Sequence, residues 1–310
     1  MRKILVRDYG TLVNGAGHHI YNGYANAWEK LGYEVERWTN LANHKLEEYD
    51  VMMASGDIQN VSDVDRLLTF LERPRKIYMF VSPNYFPLPW GKHLNYVDNV
   101  SKNRKLVKKL NELDNIVFWS FCDTSSRPEF WEDWREVHYV PLAFDNIAYQ
   151  SEDCEDSNYE FDVAYVGGWA NNGFDTKKKI MMEHFAAFKD SGLKCGFFIN
   201  KNLTHEQELK ILANSKICIN VHDDYQRIMK LDTNERTWKA LGLNGILISD
   251  NVGSVIPDQP NIYQVESPEE MVKTAQWVIN GMEGFNRNTT KEFVLEYETY
   301  VERCKQLESI

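Results

Sequence analysis

Residues 217–250, ICINVHDDYQRIMKLDTNERTWKALGLNGILISD, limit the possible folds more than any other stretch of the chain. Residues 217–221 are a short apolar run rich in β-branched side chains, the pattern of a strand buried on both faces of a parallel sheet. A polar loop, 222–231, comes next. Asp232, with Glu235 three positions on, reads as the capping box of a helix whose apolar side is Trp238, Leu241 and Leu243. Gly242 and Gly245 end that helix, residues 246–249 form a second buried strand, and Asp250 stands just past it. Strand, helix and strand in this order make a βαβ crossover. Its helix N-terminus and the loops at the carboxyl ends of its strands form a ready site for an anionic ligand.

The same stretch carries a family likeness. Asn220-Val221-His222, then Asn234-Glu235-Arg236-Thr237-Trp238, then Ala240 with Gly245, and Leu247-Ile248-Ser249-Asp250 resemble the donor-binding signature of GT-B glycosyltransferases. The pattern is similar to that of the CgeB-like branch and the group 1-like glycosyltransferases: N-x-H, N-x-R-x-F-E, A-x-x-x-G and a strand ending in Thr/Ser-Asp. Lys239 departs from it, standing where the family usually has the glutamate that holds the donor's ribose hydroxyls. The likeness spans about residues 160–280 and reaches the first half only through general layout. It implies an α/β fold of two Rossmann-like domains facing across a cleft, with a C-terminal helix crossing back to the first. Length agrees, because 310 residues suffice for two α/β domains.

Composition narrows the partners. The formal net charge of −11 argues against indiscriminate nucleic-acid binding, yet the charge is unevenly spread. Residues 1–150 hold 18 Lys and Arg against 20 Asp and Glu, whereas residues 151–310 hold 17 against 26. The nearly neutral first half also carries a basic run on an expected helix, Lys102, Arg104, Lys105, Lys108 and Lys109. That run is either a solvated helix face or a phosphate-binding surface. There is no apolar run of about 18 residues, so a transmembrane helix is not expected. The four-residue apolar run near the start is too short for a signal-peptide core. The five cysteines are odd in number and scattered, which favours free thiols and a cytoplasmic setting over disulfides or zinc.

In chain order, residues 3–7, 18–31 and 33–38 read as an opening βαβ unit. Gly15, Ala16 and Gly17 match the dinucleotide fingerprint poorly, lacking its last glycine and an acidic residue at the second strand's end. Strands at 49–54 and 76–82 end in Ser55-Gly56-Asp57 and in a proline- and aromatic-rich segment, 83–90. That segment is either a substrate wall or a packed plug. Strands at 116–121 and 137–140 complete the first domain. The polar stretch 146–160 reads as the linker, with an acceptor domain over 1–150 and a donor domain over 151–310. The donor domain opens with a strand running into Gly167, Gly168 and Trp169, where a strand-to-helix turn lets backbone amides approach a phosphate. Lys177, Lys178 and Lys179 follow in a first helical turn, as added charge or as a solvated face. Residues 289–307 form the expected last helix.

Glycosyl transfer needs a stabilised leaving diphosphate, a pocket for the sugar and, for an inverting reaction, a base for the acceptor hydroxyl. Arg236 in the first turn of the central helix, with Arg227 and Lys230 in the loop before it, are the candidates for neutralising a diphosphate without metal. His222, Asn234, Thr237 and Asp250 are the further donor-site candidates implied by the motif. Asp223-Asp224 lacks the spacing of a metal-binding D-x-D, and no metal or other cofactor is expected. His18, His19 and Asp57, each past a strand end of the first domain, are the candidate bases. The resemblance implies transfer from a nucleotide-diphosphate sugar, a UDP-sugar, to a small molecule, a glycan, a protein or a hydroxymethylated base in phage DNA. A carbohydrate- or nucleotide-binding coat or assembly protein that kept the fold without the activity is the alternative, with Lys239 as its support.

Overall fold

The structure, a computed structural model, describes residues 1–8, 16–55, 69, 75–83, 104–150, 154, 156–169 and 176–310. The chain forms two compact units, Met1–Pro141 together with Tyr300–Ile310, and Leu142–Thr299. Among the described residues no helix is long and apolar enough to cross a membrane.

The first unit is built on six parallel strands in the order β2-β1-β3-β4-β5-β6. They are β1 (Lys3–Arg7), β2 (Glu34–Trp38), β3 (Val51–Ser55), β4 (Lys76–Phe80), β5 (Ile116–Ser120) and β6 (His138–Tyr139). Ile4, Leu5 and Val6 of β1 and all five residues of β5 are buried, as expected of strands with both faces covered. Helix α1 (Ala16–Lys30) covers one face with Tyr24, Ala27 and Trp28, and α2 (Arg104–Asn111) packs through Val107 and Leu110. Lys105, Lys108 and Lys109 of α2 are exposed, opposite its buried Val107 and Leu110. Most of the segment 83–90 lies outside the described residues.

The second unit repeats the plan. Its strands β7 (Val163–Gly167), β8 (Cys195–Ile199), β9 (Ile217–Asn220), β10 (Leu247–Asp250) and β11 (Ile262–Val265) are all parallel, in the order β11-β10-β9-β7-β8. Helices α3 (Thr176–Ala187), α4 (His205–Asn214), α5 (Asp224–Met229), α6 (Glu235–Leu243), α7 (Pro268–Asn280) and α8 (Arg287–Tyr297) connect and cover them. The core joins Val163, Tyr165, Met181, Ile217, Ile219, Ile248 and Met271. In both units the second strand lies outside the first and the third pairs on the first strand's other side. Both are therefore Rossmann-like doubly wound sheets of the 2-1-3-4-5 kind.

Two sequence expectations change here. Residues 289–307 are not one helix: α8 ends at Tyr297, and α9 (Tyr300–Ser309) begins after Glu298 and Thr299. The break is fixed by Phe144, whose amide donates to Glu298 O at 2.8 Å and which forms a parallel bridge with Thr299. The second unit begins at Leu142, ahead of the expected linker 146–160. Phe144 is buried there against α6, where a Cβ on Gly242 would stand 2.6 Å from its ring.

Helix α9 returns to the first unit and packs on α1, with Tyr300 edge-on to Tyr24 at 4.8 Å between ring centroids. Gly23 makes this approach possible, because a Cβ there would lie 2.2 Å from the Tyr300 ring. Gly23→Ala should therefore destabilise the protein by about 1–3 kcal/mol in urea unfolding. Tyr300→Leu should recover part of that loss in the double variant, giving a coupling that independent sites would lack.

Candidate functional site

Doubly wound sheets bind ligands where the strand order reverses, at the carboxyl ends of the strands. In the second unit that point falls between β7 and β9. The residues gathered there are Gly167–Trp169 at the end of β7, Asn220–His222 at the end of β9, Asp250 at the end of β10 and the N-terminus of α6.

The centre of the group is Asn220, which is fully buried. Its Nδ2 donates to Asn234 Oδ1 at 2.9 Å and to Thr237 Oγ1 at 2.8 Å, and its Oδ1 accepts from Arg236 Nε at 3.4 Å. Thr237 Oγ1 lies 2.5 Å from Thr233 Oγ1, which lies 2.7 Å from His222 Nε2. His222 Nδ1 in turn faces Asp250 Oδ1 at 2.6 Å. Burial pushes the His222 imidazole below its ordinary value, Asp250 opposing only in part, so the ring is neutral. Burial alone would raise the Asp250 carboxyl, but His222 and then Arg227 outweigh it and hold it low. With those charges every hydroxyl and ring proton has one assignment. Asn220 donates to Thr237, Thr237 to Thr233, Thr233 to His222, and His222 to the Asp250 carboxylate.

His222 and Asp250 are thus placed beneath a surface, at 0% and 1% exposure, with their polar atoms engaged by protein. Asp250 also receives the His222 backbone N–H and Arg227 Nε, the latter at 3.2 Å. Asn234 is the N-cap of α6, without a side-chain capping bond, and its buried Nδ2 lacks a partner. The charged rim consists of Arg236, half-buried with its guanidinium 5.5 Å over the Tyr165 ring, Arg227 on α5, and exposed Lys230. Lys230 ends α5 in a left-handed conformation at φ 55 and ψ 38.

The glycines after β7 serve side chains of this unit. A Cβ at Gly167 would stand 2.5 Å from Arg236 Nη1, and one at Gly168 would stand 1.7 Å from Asn200 Oδ1. Asn200 Oδ1 also accepts from the Trp169 amide at 3.1 Å, and Lys178 lies over the Trp169 ring. Lys177 is buried in the first turn of α3. It donates to Val221 O at 3.0 Å and pairs with Asp223 at 3.3 Å.

Two features of the central stretch differ from the sequence reading, and a third concerns Lys239. The polar loop 222–231 contains α5, held by a capping box between Asp223 and Gln226. Asp232 does not cap α6; it is buried, accepts from Tyr225 and Gln226 on Oδ2, and has no partner for Oδ1. Lys239, where the family pattern has a glutamate, is paired with one from α4. Its Nζ lies 3.1 and 3.2 Å from the Glu208 oxygens, and Glu208 Oε2 accepts from Tyr149 at 2.7 Å.

In the first unit, Asn22 Nδ2 donates to His18 Nε2 at 2.7 Å, and His18 Nδ1 faces Asp8 Oδ1 at 3.9 Å. His19 stacks edge-on to His18 at 5.9 Å, and Asp57 lies outside the described residues. Among the described residues no group of three or more His, Cys, Asp or Glu is arranged to hold a metal ion.

Neither a protein-family model nor a curated protein matches the chain. Solved structures match over nearly the whole of both chains. An alpha-glucosyltransferase in complex with UDP-glucose and DNA containing an abasic site has a TM-score of 0.64 at 12% identity, covering 100% of this chain and 98% of that chain. An alpha-glucosyltransferase with UDP and a 13-mer DNA containing a HMU base gives 0.63 at 11%, covering 100% and 98%. T4 phage BGT in complex with UDP and Mn2+ gives 0.60 at 12%, covering 99% and 98%. The fold is therefore that of the GT-B glycosyltransferases.

Two outcomes follow from the site's electrostatics. Asp250→Ala leaves Arg227 and His222 without their anion and should cost roughly 3–5 kcal/mol in denaturant unfolding. Burial raises the Asp232 carboxyl from 3.8 to about 7. A raised folded value contributes stability present below the unfolded value and lost as pH rises through the folded one. The melting temperature of Asp232→Asn relative to the parent should accordingly climb between about pH 4 and about pH 7 and level off above that.

Proposed function

We propose that the protein is a glycosyltransferase that moves a sugar from a UDP-sugar to the hydroxyl of a hydroxymethylated base in DNA. The observation that carries this reading is the cluster of Arg236, Arg227 and Lys230 around the N-terminus of α6, at the reversal point of a GT-B donor-type sheet. Cations beside a helix N-terminus suit a diphosphate, whose charge grows as the glycosyl bond breaks. The second unit is then the donor unit, in line with the motif residues Asn220, Asn234, Arg236 and Thr237. The likeness to structures holding UDP-glucose and DNA supports both substrates.

His222 and Asp250 serve this site by fixing Arg227 and the α6 N-terminus. The carboxylate that the CgeB-like pattern carries at position 239 is brought to the same helical turn by Glu208, paired with Lys239. Gly167, Gly168 and Trp169 border the site through Arg236 and Asn200. In the first unit, the acceptor unit, exposed Lys105, Lys108 and Lys109 suit a DNA backbone. The candidates to take the acceptor proton are His18, which accepts from Asn22, together with His19 and Asp57. The arginines supply the neutralising charge in place of a required metal, and a cytoplasmic setting suits both substrates.

The test is UDP release from UDP-sugars, with and without duplex DNA containing hydroxymethylated cytosine or uracil, in EDTA and with Mn2+ restored. Turnover should require the modified DNA, persist in EDTA and fall by about 100-fold or more in Arg236→Ala. DNA affinity should drop steeply with salt, with a log–log slope lowered by up to about three when the three α2 lysines become alanine. Lack of turnover with any UDP-sugar, alongside lack of UDP binding, would defeat the proposal.

A further inference from the structure

We propose that Lys177 and Asp232 are positioning residues that clamp the short helix α5 between α3 and the entry to α6, and so set the Arg227 and Lys230 side of the site. The inference concerns the chain's own packing; only its consequence for ligand binding rests on the UDP-sugar reading.

Helix α5 has six residues, fewer than two turns, and a helix of that length does not hold itself in water. Yet it carries Arg227, whose guanidinium meets Asp250, and it ends in Lys230. What holds it comes from two flanking elements. On one flank, Lys177 reaches from the first turn of α3 to the α5 N-cap Asp223 at 3.3 Å, and to Val221 O at 3.0 Å. On the other, Asp232 Oδ2 accepts from Tyr225 Oη at 3.2 Å and from Gln226 Nε2 at 3.1 Å, while Gln226 Oε1 accepts the Asp223 amide.

Neither residue is where local energetics would put it. A lysine in a first helical turn opposes the helix dipole, and this one is 3% exposed. A carboxyl with one oxygen unpartnered and 3% exposure costs free energy by desolvation. Both penalties are offset only if the contacts to α5 are made. The charged and titratable groups around the clamp are Lys177 from α3, Asp223, Tyr225 and Arg227 from the α5 region, Arg236 from α6, His222 after β9 and Asp250 from β10. Burial lowers the Lys177 amine to about 8, with Asp223 opposing, so that both clamp residues lie near their titration points at neutral pH.

Amide hydrogen exchange across residues 224–229 of the full chain tests the clamp without any ligand. Lys177→Met and Asp232→Ala should each speed exchange there by about tenfold or more, while Lys177→Arg and Asp232→Asn stay within about threefold of the parent. Calorimetric titration with UDP reads the consequence. Affinity should fall by about tenfold in Lys177→Met and Asp232→Ala and stay within about threefold of the parent in Lys177→Arg and Asp232→Asn. Exchange within about twofold of the parent in both Lys177→Met and Asp232→Ala would overturn the clamp. Loosened α5 in a protein that binds no UDP at all would leave the clamp standing and defeat the donor reading instead. Should Lys177→Met lose its helical circular dichroism, the Asp232→Ala and Asp232→Asn pair decides.

Discussion

The one-way run of hydrogen bonds from Asn220 through Thr237, Thr233 and His222 to Asp250 is what the candidate site stands on. Its members come from β9, the segment entering α6, α6 itself and β10, so the chain of donors ties α6 and its entry to two strands that sheet pairing already joins to each other. The Asn220 amide serves both Asn234 and Thr237, each later donor passes to the next member, and the last acceptor is a carboxylate that His222 and Arg227 keep ionised. A buried network with every step satisfied admits one arrangement, which is how it specifies a geometry as well as contributing stability. Arg236 is fixed by the same network, through the Asn220 carbonyl below it and the Tyr165 ring beside it.

That rigid floor stands in an acidic unit, where the net balance of charge would repel a diphosphate. The cations are therefore local and individually placed. Arg227 is held by Asp250, Arg236 by Asn220 and Tyr165, and Lys177 by Asp223 and a backbone carbonyl, each with a partner that directs it. An interaction of this kind works over a few ångströms, within the distance at which salt screens exposed charge.

Much of this was legible in the sequence, and the reasons it was or was not are physical. The buried strands β7, β9 and β10 show as β-branched apolar runs, because their two faces are both covered. The residues around α6 could be named because they lie in one contiguous motif. What could not be read are partnerships between distant positions and the choice between equivalent local signals. Asp232 and Asn234 are both acceptable N-caps, and only the tertiary position of Tyr225 and Gln226 sends Asp232 inward. Glu208 carries no signal that it meets Lys239, 31 positions away. The Gly167-Gly168 pair suggests a ligand's approach, whereas the nearest occupants of that space are the side chains of Arg236 and Asn200. The amphipathic run 289–307 gives no warning of its interruption, since the cause is the pairing of Thr299 with Phe144, 155 positions earlier in number.

That bridge between Phe144 and Thr299 has a further meaning for how the chain is put together. It joins a residue near the beginning of the second unit to the unit's last residue, so the unit opens and closes at one spot. Residues 142–299 are thus an insertion with neighbouring ends, set into a first unit that resumes with α9. A module of that kind can be excised, rejoined through a short loop or exchanged for a homologous one without rethreading its host. Evolution could therefore have changed the ligand of one unit while leaving the other's sheet and its closing helix untouched.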